Sequence, residues 1–421
     1  MDASMPSSYA ENVVRAQYVY QELLDKIAQA RRIYVGGTNA PGETEFLVRL
    51  YPSLVFVDDY KAGTSLLGKD VISTQELAKK ADARDFLINN CLTSAGFNHF
   101  SRQAKSLAIP SASVVEVLAP HYLNGVIMNF PGLTSVYGPA FHRHTLENIE
   151  KYARLRSSFV DDLSQQTFDN LINYRLTGNP SLLHSVAVGH NYGAIQHDSY
   201  ILNAQFFSLS DNEVFIDAGA LDGYSSRYFI ESVDGNFDRI VMFEPSSENA
   251  EKCRQTVAAL DAEFSGKNIS KKIDVVEAGL YDHQGMLSFS LSLFDEAATE
   301  LHGVLPQAAH ITDTGLTDAF VEKGSEYKTI QVPVVTLDGY IKDNPVTFIK
   351  FEIEGSEVAA LAGSTQTILK NKPKLALSIY HRPQDLELMI EYVQNLGLGY
   401  KMALRAHNPW CPDAIVLYCW I

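Results

Sequence analysis

The sequence predicts an α/β protein built on mostly parallel sheets, and three observations lead to this class. Short apolar runs rich in β-branched and aromatic residues alternate with helix-like stretches in two separate regions. At 421 residues, the chain is too long for one ordinary core. The last two apolar runs are joined by too few residues for a parallel crossover, which predicts an antiparallel hairpin near the end of the chain.

The first region predicts a small α/β domain over residues 1–118. Its brief apolar runs predict strands at residues 32–36, 54–58 and 86–89. Helical periodicity between and after them predicts helices at residues 43–50, 74–81 and 97–107. Longer amphipathic stretches follow, which predict a mainly helical connector over residues 119–202.

The second alternating region, residues 203–421, predicts a larger α/β domain. We expect its strands at residues 213–217, 239–243, 273–278, 346–352, 374–380, 400–405 and 414–420, with an added β-ribbon over 286–291. The last strand is expected to run antiparallel to the others.

Composition excludes several classes of function. The chain has 34 basic and 50 acidic residues, a net charge of −16, which argues against a nucleic-acid partner. Its apolar runs are shorter than the roughly 20 residues that span a bilayer, and the N-terminus lacks a signal-peptide pattern, so we expect a cytoplasmic protein. The four cysteines have neither zinc-ligand nor disulfide-framework spacing, so no metal site is predicted.

A glycine-containing turn follows the first strand of the second region and is the most informative motif. Asp217 ends the strand, and the turn contains Gly219, Ala220, Asp222 and Gly223. In an open parallel sheet such a turn lets the backbone approach a ligand. It matches neither GxGxxG nor a P-loop, and an acid there repels phosphate but attracts a sulfonium and an ammonium group. We therefore predict an S-adenosylmethionine (SAM) site, with an ordinary βα turn as the alternative.

The next two strands supply further candidates for cofactor binding. Glu244 ends the second strand, where a carboxylate can accept hydrogen bonds from both hydroxyls of a ribose. In the alternative interpretation, Glu244 only caps a helix or faces solvent. Gly279, Leu280 and Asp282 follow the third strand and are candidates for the adenine wall.

Three residues at the ends of the fourth and fifth strands are candidates for a general base. If the fourth strand persists that far, alternation places Glu352 and Glu354 on one side, facing the ligand crevice. His381 follows the fifth strand and carries an imidazole that can accept a hydroxyl proton. In the alternative interpretation, one carboxylate pairs with Lys350 or caps the following helix, and His381 is structural.

The ordered strings FIDAGALDGYSS, VMFEP, EAGLYDHQG, VPVVTLDGYI, FIKFEIEGSEVAALAG and KPKLALSIYHRPQDL resemble the FkbM family of SAM-dependent methyltransferases. The resemblance covers residues from about 203 to the end. It implies a class I methyltransferase fold, a doubly wound seven-stranded sheet with an antiparallel last strand, and O-methylation of sugar or polyketide hydroxyls. It also implies SAM contacts at Asp217, Gly219, Gly223 and Glu244. The family's Asp-x-Glu-Gly motif has Glu352 in place of the aspartate.

The N-terminal region is similar, more loosely, to Rossmann-like domains fused to sugar-modifying enzymes. The loop Gly36–Gly42 follows a strand, and Asp58 and Asp59 end the next one. This arrangement permits nucleotide binding, including a nucleotide-linked sugar. The glycine spacing fails the dinucleotide fingerprint and Pro41 removes an amide donor, which favours a substrate-presenting or oligomerising role.

Together these observations predict a SAM-dependent methyltransferase that acts on a hydroxyl of a small-molecule or glycan acceptor. A non-catalytic binding or oligomerisation module with a degenerate methyltransferase domain is the main alternative. A nicotinamide oxidoreductase is disfavoured because the glycine loop mismatches and no Tyr-x-x-x-Lys pair follows at a useful place. The sequence leaves the oligomeric state open, with a homo-oligomer as one option.

Overall fold

The structure of the protein is a computed structural model in which two compact units can be distinguished. It describes residues 20–38, 41–91, 94–114, 116–118, 139–177, 181–188, 206, 208–292, 309–311, 327–407 and 414–421. One unit comprises Met1–Glu150, Asn170–Ser185 and Asn191–Gly193, and the other comprises Lys151–Asp169, Val186–His190 and Ala194–Ile421. The three domain ranges drawn from the sequence stay predictions.

The first unit contains a six-stranded sheet with the strand order β3-β4-β2-β1-β5-β6. Its strands are β1 (Ile33–Gly36), β2 (Val55–Val57), β3 (Ser65–Leu66), β4 (Lys69–Ile72), β5 (Phe86–Asn89) and β6 (Ser111–Ser113). All neighbouring pairs are parallel except β3 and β4. Tyr34 and Leu87 from the sheet pack with Leu77 and Phe100 from helices in a buried cluster. The sheet edge at the carboxyl ends of β1, β2 and β5 carries the Gly36 loop and Asp58.

The second unit contains a seven-stranded sheet with the strand order β16-β17-β15-β14-β7-β8-β9. Its strands are β7 (Val214–Ala218), β8 (Arg239–Phe243), β9 (Ile273–Val276), β14 (Phe348–Phe351), β15 (Lys374–Ser378), β16 (Lys401–Ala406) and β17 (Ile415–Trp420). The rings of Phe215, Phe229 and Phe348 stack in its core, with centroids 4.7 and 4.9 Å apart around Phe215. The predicted α/β class is confirmed.

The last strand in the chain, β17, is antiparallel to both of its neighbours. Leu417 pairs with Leu377 of β15 on one side and with Leu404 of β16 on the other. The predicted C-terminal hairpin is therefore confirmed, and its second strand lies inside the sheet rather than at the edge. Part of the link, including Asn408, Pro409 and Cys411, lies outside the described residues.

A four-stranded sheet in the order β10-β13-β11-β12 accompanies the second unit. Its strands are β10 (Gly279–Leu280), β11 (Gly285–Ser292), β12 (Ala309–Ile311) and β13 (Tyr327–Val335). The predicted β-ribbon over residues 286–291 falls within β11, which pairs antiparallel with β13.

Helices connect these strands. The helices that we number are α1 (Pro41–Leu50), α2 (Thr74–Lys80), α3 (Ser94–Ser106), α4 (Pro139–Glu147), α5 (Ile149–Leu155), α6 (Asp162–Thr177), α7 (Ser181–His184), α8 (Tyr224–Ser232), α9 (Ser247–Glu263), α10 (Leu337–Ile341), α11 (Glu357–Ala362), α12 (Thr365–Asn371) and α13 (Asp385–Asn395). Within the described ranges, no helix is both long enough and apolar enough to cross a bilayer. The cytoplasmic location stays a prediction.

Candidate active site

The glycine turn after β7 lies against the end of β14. Gly219 and Gly223 have φ angles of 79° and 83°, in the left-handed region that glycine adopts without a steric penalty. A Cβ at Gly219 would lie 1.7 Å from the carbonyl oxygen of Glu352, so a larger residue cannot fit without displacing the backbone. The turn and the segment that carries Glu352 therefore form one continuous rim at the carboxyl edge of the sheet.

Asp217, which we expected to contact the cofactor, is completely buried in an ion pair. Its Oδ1 accepts a hydrogen bond of 3.0 Å from Lys350 Nζ, and its Oδ2 accepts one of 2.7 Å from the hydroxyl of Ser226. Lys350 also donates to the carbonyl oxygen of Gly219, at 2.8 Å. This geometry favours a role for Asp217 in holding the turn, with its charge neutralised by Lys350.

Lys350 was missed as a site residue. The sequence carries one signal for it, a lysine within the apolar strand FIKF, because a buried ammonium group needs a partner of opposite charge. The pairing of the strands decides which nearby carboxylate becomes the partner of Lys350. The sequence offers Glu352 or Glu354 as a partner for Lys350, whereas its side chain pairs with Asp217.

Glu244 follows β8 and lies beside the glycine turn. Its side chain is almost fully buried, with 6% of the residue exposed. Oε2 accepts a hydrogen bond from the backbone N–H of Leu221 and Oε1 one from that of Ser246, both at 2.9 Å. Burial raises the pKa of Glu244 to about 7 although both N–H groups oppose this shift. Each carboxylate oxygen has a second lone pair, so the group retains the capacity to accept hydroxyl hydrogens.

Ala220 and Asp222 complete the turn. The backbone N–H of Ala220 donates to the carbonyl oxygen of Phe243, at 3.1 Å. Oδ1 of Asp222 accepts from the backbone N–H of Tyr224, at 3.1 Å, and its carbonyl oxygen accepts from Thr256 Oγ1, at 2.7 Å. These bonds hold the turn at the start of α8.

The residues proposed for the adenine wall lie on a different sheet from the glycine turn. Gly279 and Leu280 form β10, which pairs in parallel with β13 of the four-stranded sheet. Asp282 is exposed, and its Oδ1 lies 2.6 Å from Nδ1 of His283. Their contact with adenine stays a prediction.

Glu352 follows β14 and is engaged by two hydroxyl groups. Its carboxylate accepts hydrogen bonds from Tyr380 Oη and from Ser378 Oγ, the latter at 3.2 Å. Burial raises the pKa of Glu352 to about 7, and the carboxylates of Glu354 and Glu357 add to the shift. A carboxyl group with this pKa can exchange a proton near neutral pH.

A turn after β14, and not strand alternation, positions the side chain of Glu354 at the site. Strand β14 ends at Phe351, so the condition for predicting that Glu352 and Glu354 share a strand face is not met. Glu354 has a φ angle of 54° and is followed by Gly355 at 93°. A left-handed non-glycine residue costs about 1–3 kcal/mol and is typical of functional sites. The turn brings Glu354 Oε2 to 3.5 Å from His381 Nε2.

His381 lies among carboxylates, and 8% of the residue is exposed. Its Nδ1 is 2.9 Å from Glu357 Oε1. Burial by itself lowers the pKa of the imidazole, but the carboxylates of Glu357 and Glu354 outweigh it and raise the pKa to about 10. His381 therefore carries a proton at neutral pH, which makes it a weak candidate for a general base and favours Glu352.

Sequence reasoning also missed Glu357 and Asp385, which are buried at the N-terminal ends of α11 and α13. Glu357 Oε1 accepts from the backbone N–H of Ile353, at 2.8 Å, and Asp385 Oδ2 accepts from that of Arg382, at 2.6 Å. An acid in the first turn of a helix is an ordinary sequence signal. The sequence carries no signal that Glu357 and Asp385 would lie together at His381, because the two acids are 28 residues apart along the chain.

The N-terminal unit carries a second polar cluster at the edge of its sheet. Thr38 Oγ1 donates to Asp58 Oδ2, at 2.6 Å, and accepts from Lys61 Nζ, at 2.9 Å. Asp59 accepts from the backbone and side chain of Thr74 and so holds the start of α2. Asn39 and Ala40 of the predicted nucleotide loop lie outside the described residues, and nucleotide binding stays a prediction.

Known proteins that are similar to this chain include methyltransferases. The chain is similar over its whole length to the crystal structure of Methyltransferase FkbM from Methylobacillus flagellatus KT, at 24% identity, a TM-score of 0.68 and 99% coverage of both chains. This likeness shows a shared fold.

More distant likenesses include two methyltransferase structures. A putative rRNA methylase from Clostridium thermocellum is 11% identical and covers 53% of this chain and 90% of its own, with a TM-score of 0.29. A putative methyltransferase from Streptococcus mutans in complex with SAH is 12% identical and covers 54% of this chain and 96% of its own, also with a TM-score of 0.29. No curated protein matches the chain. Residues 217–402 match the model of the methyltransferase FkbM domain, and the matched stretch contains the glycine turn, Glu244 and the carboxylates around His381.

Proposed function

We propose that the protein transfers the methyl group of SAM to a hydroxyl group of a small-molecule or glycan acceptor. One observation carries this proposal: the backbone of the glycine turn contacts the segment that holds Glu352, because a Cβ at Gly219 would overlap the Glu352 carbonyl oxygen. A cofactor seated on the turn would therefore lie beside the segment that carries Glu352, whose carboxyl group has a pKa of about 7. The FkbM domain match supports methyl transfer as the reaction class.

The residues around the turn fit SAM. The left-handed glycines at 219 and 223 let the turn take a path on which its backbone can face a cofactor. The Glu244 carboxylate keeps free acceptor lone pairs for ribose hydroxyls. Gly279, Leu280 and Asp282 are proposed to flank the adenine. When bound, SAM would supply a methyl group on a positively charged sulfur, which is a good leaving group.

Glu352 is the proposed general base. In its ionised form it can take the proton from the acceptor hydroxyl as the oxygen gains the methyl group. Its pKa of about 7 lies close to neutral pH, where proton transfer by a carboxylate is most effective. Tyr380 and Ser378 orient the carboxylate through their hydroxyl groups. His381, held as a cation, would stabilise the negative charge of this carboxylate cluster rather than accept a proton.

The acceptor is proposed to be neutral. The chain carries a net charge of −16, and Glu352 and Glu354 add carboxylates at the site, so a polyanionic acceptor would be repelled. A neutral sugar or polyketide-like hydroxyl meets no such barrier. We propose that the protein acts in the cytoplasm.

Calorimetry with SAM and a screen with methyl-labelled SAM test the proposal. Micromolar SAM binding, with label transferred to nucleotide-linked sugars or cell-envelope glycans, is the expected outcome. Binding without transfer to any acceptor in the screen would leave only a cofactor-binding role. A screen against RNA serves as the negative control, because the charge of the chain opposes that partner.

A non-catalytic binding module is the second candidate function, and a specific contact favours it. The Asp217 carboxylate is already neutralised by Lys350 and bonded by Ser226, so it offers no free charge to the ammonium group of SAM. No measurable SAM binding in the calorimetry would support this candidate against the enzyme.

A further inference from the structure

Three buried side chains meet beside the candidate active site at the ends of β14 and β15. They are Glu357 at the start of α11, His381 after β15 and Asp385 at the start of α13. One nitrogen or oxygen atom from each lies within 4.8 Å of the others. The exposed fractions are 0%, 8% and 1%, so all three lie out of contact with bulk water.

Each acid uses one oxygen locally and keeps the other without a partner. Glu357 Oε1 and Asp385 Oδ2 accept loop N–H groups, as described above. Glu357 Oε2, Asp385 Oδ1 and His381 Nδ1 have no hydrogen-bond partner among the residues that the structure describes. The 2.9 Å approach of His381 Nδ1 to Glu357 Oε1 has an ion-pair distance without hydrogen-bond geometry.

Three unpartnered polar atoms in one buried cluster of side chains need a physical explanation. A buried polar group without a partner costs about 1–3 kcal/mol, and more when it is charged. Native proteins keep few such groups, and a cluster of them is typical of a site for an ion or water. Two carboxylate oxygens and one imidazole nitrogen are donors that divalent first-row metals accept.

We propose that Glu357, His381 and Asp385 bind one divalent first-row transition-metal cation through Glu357 Oε2, His381 Nδ1 and Asp385 Oδ1. The site contains no thiolate, which disfavours Cu(I), and the mixed nitrogen and oxygen donors suit Mn²⁺, Fe²⁺ or Zn²⁺.

Glu354 supplies the outer contact that a metal-bound histidine requires. Its Oε2 lies 3.5 Å from Nε2, the ring nitrogen of His381 that points away from the proposed metal. A carboxylate at this position holds the proton on Nε2, so that a metal binding at Nδ1 would displace only the second proton, which the imidazolium carries in the metal-free protein. The left-handed backbone at Glu354 is what brings its carboxylate there. The strained turn and the proposed metal site are therefore parts of one arrangement.

The metal would act as a positioning group, since its ligands are buried and come from two segments, one after β14 and one after β15. It would tie the loop after β14 to the end of β15 and to α13. The loop after β14 also carries Glu352, so metal binding would fix the proposed base. This inference goes beyond the proposed function and does not depend on SAM binding.

Titration of the chelator-treated full-length protein with Mn²⁺ tests the proposal. Electron paramagnetic resonance is expected to detect one bound Mn²⁺ per chain, with spin-echo modulation from the ¹⁴N of a coordinated imidazole. His381→Gln should remove that modulation, and Asp385→Asn should weaken Mn²⁺ binding about tenfold or more. Asp343→Asn is the matched control, because Asp343 is an exposed acid paired with Lys370, and its Mn²⁺ affinity should equal that of the wild type.

Several outcomes would overturn the proposal. They are a wild-type protein that leaves the free Mn²⁺ signal undiminished, bound Mn²⁺ without ¹⁴N modulation, and unchanged affinity in Asp385→Asn. Because the spin-echo measurement uses the wild type, the test stands even where a variant fails to fold. Calorimetry with SAM on the chelator-treated protein reports separately on the proposed function.

Discussion

Lys350 and Asp217 are paired residues on two adjacent parallel strands, and their side chains form a buried ion pair. Lys350 Nζ lies 3.0 Å from Asp217 Oδ1 and 2.8 Å from the carbonyl oxygen of Gly219. The pair therefore joins β14 to the first residue of the glycine turn. We infer that it sets the position of the turn relative to the carboxylates that follow β14.

Replacing Lys350 by Met should destabilise the protein strongly. Removing one partner of a buried ion pair leaves an uncompensated charge and costs about 3–5 kcal/mol. The free energy of unfolding from urea titration measures this loss. The double variant that also carries Asp217→Asn should recover part of it.

Lys370→Met is the matched control for this prediction. Lys370 pairs with the fully exposed Asp343 at 2.7 Å, and exposed pairs contribute about 0–1 kcal/mol. Equal losses of stability in the Lys350 and Lys370 variants would contradict a structural role for the buried pair.

Gly219→Ala should damage the turn more than an equivalent change elsewhere. A Cβ on a left-handed backbone costs about 1–2 kcal/mol, and here it would also overlap the carbonyl oxygen of Glu352 at 1.7 Å. Gly397→Ala provides the comparison, because Gly397 has a φ angle of 66° and nothing within 4 Å of an added Cβ. Thermal unfolding and SAM calorimetry should both be affected at position 219, whereas position 397 should lose stability only. The same small loss at both positions would argue against the tight contact.

Glu352→Gln should lower methyl transfer about 10²–10⁴-fold while SAM affinity stays within a few-fold, because the amide cannot accept a proton. Wild-type activity should rise with pH through about 7, where Glu352 loses its proton. Initial rates with the acceptor found in the screen, from pH 5.5 to 8.5, check both statements. Glu248→Gln, an exposed residue of α9, is the control. A variant that keeps wild-type turnover would remove Glu352 from the mechanism.

SAM affinity should depend on pH through Glu244. The ionised carboxylate accepts ribose hydroxyls better than the neutral acid, so affinity should rise as pH passes about 7. Calorimetry across this range measures the change, and Glu244→Gln should bind SAM more weakly with a flatter pH profile. An identical profile in the variant would assign the titration to another group.

The stability of the cofactor-free protein should change in the opposite direction. The pKa of Glu244 is raised in the folded state from 4.5 to about 7. Its contribution to stability is therefore fully present below about pH 4.5 and is lost as pH rises through about 7. The difference in unfolding free energy between wild type and Glu244→Gln, measured at both ends of this range, should shift in favour of the variant at high pH.

Local sequence patterns predicted most of the fold and the glycine turn of the candidate site. Apolar runs located strands such as Phe86–Asn89 and Arg239–Phe243 at their observed bounds, because a buried strand is defined by its own residues. The short link before Ile415 predicted an antiparallel hairpin, since a parallel crossover requires more chain. Strands β4 and β6 were missed; they are brief and contain Lys69, Asp70 and serines that do not form an apolar run.

The sequence predicted the positions of the acids and the histidine in the candidate site, but it did not predict the contacts among them. Glu352, Glu354 and His381 were each identified by their positions after strands. How these residues contact one another was not identified, because Glu354 depends on a left-handed turn beyond the end of β14. The surroundings of His381 depend on two carboxylates, Glu354 and Glu357, from that other segment. The surrounding carboxylates raise the pKa of His381, so this residue is held as a cation and does not serve as the expected general base.

By itself, the sequence determined where most strands of the second sheet and the glycine turn lie and which acids follow them, because hydrophobic periodicity and the backbone freedom of glycine act over a few neighbouring residues. Only the tertiary structure decided which charges meet. Asp217 and Lys350 are 133 residues apart, and Glu357 reaches His381 from a different strand end. Burial and the distance between charges set protonation and ion pairing, and both arise when separate segments pack together.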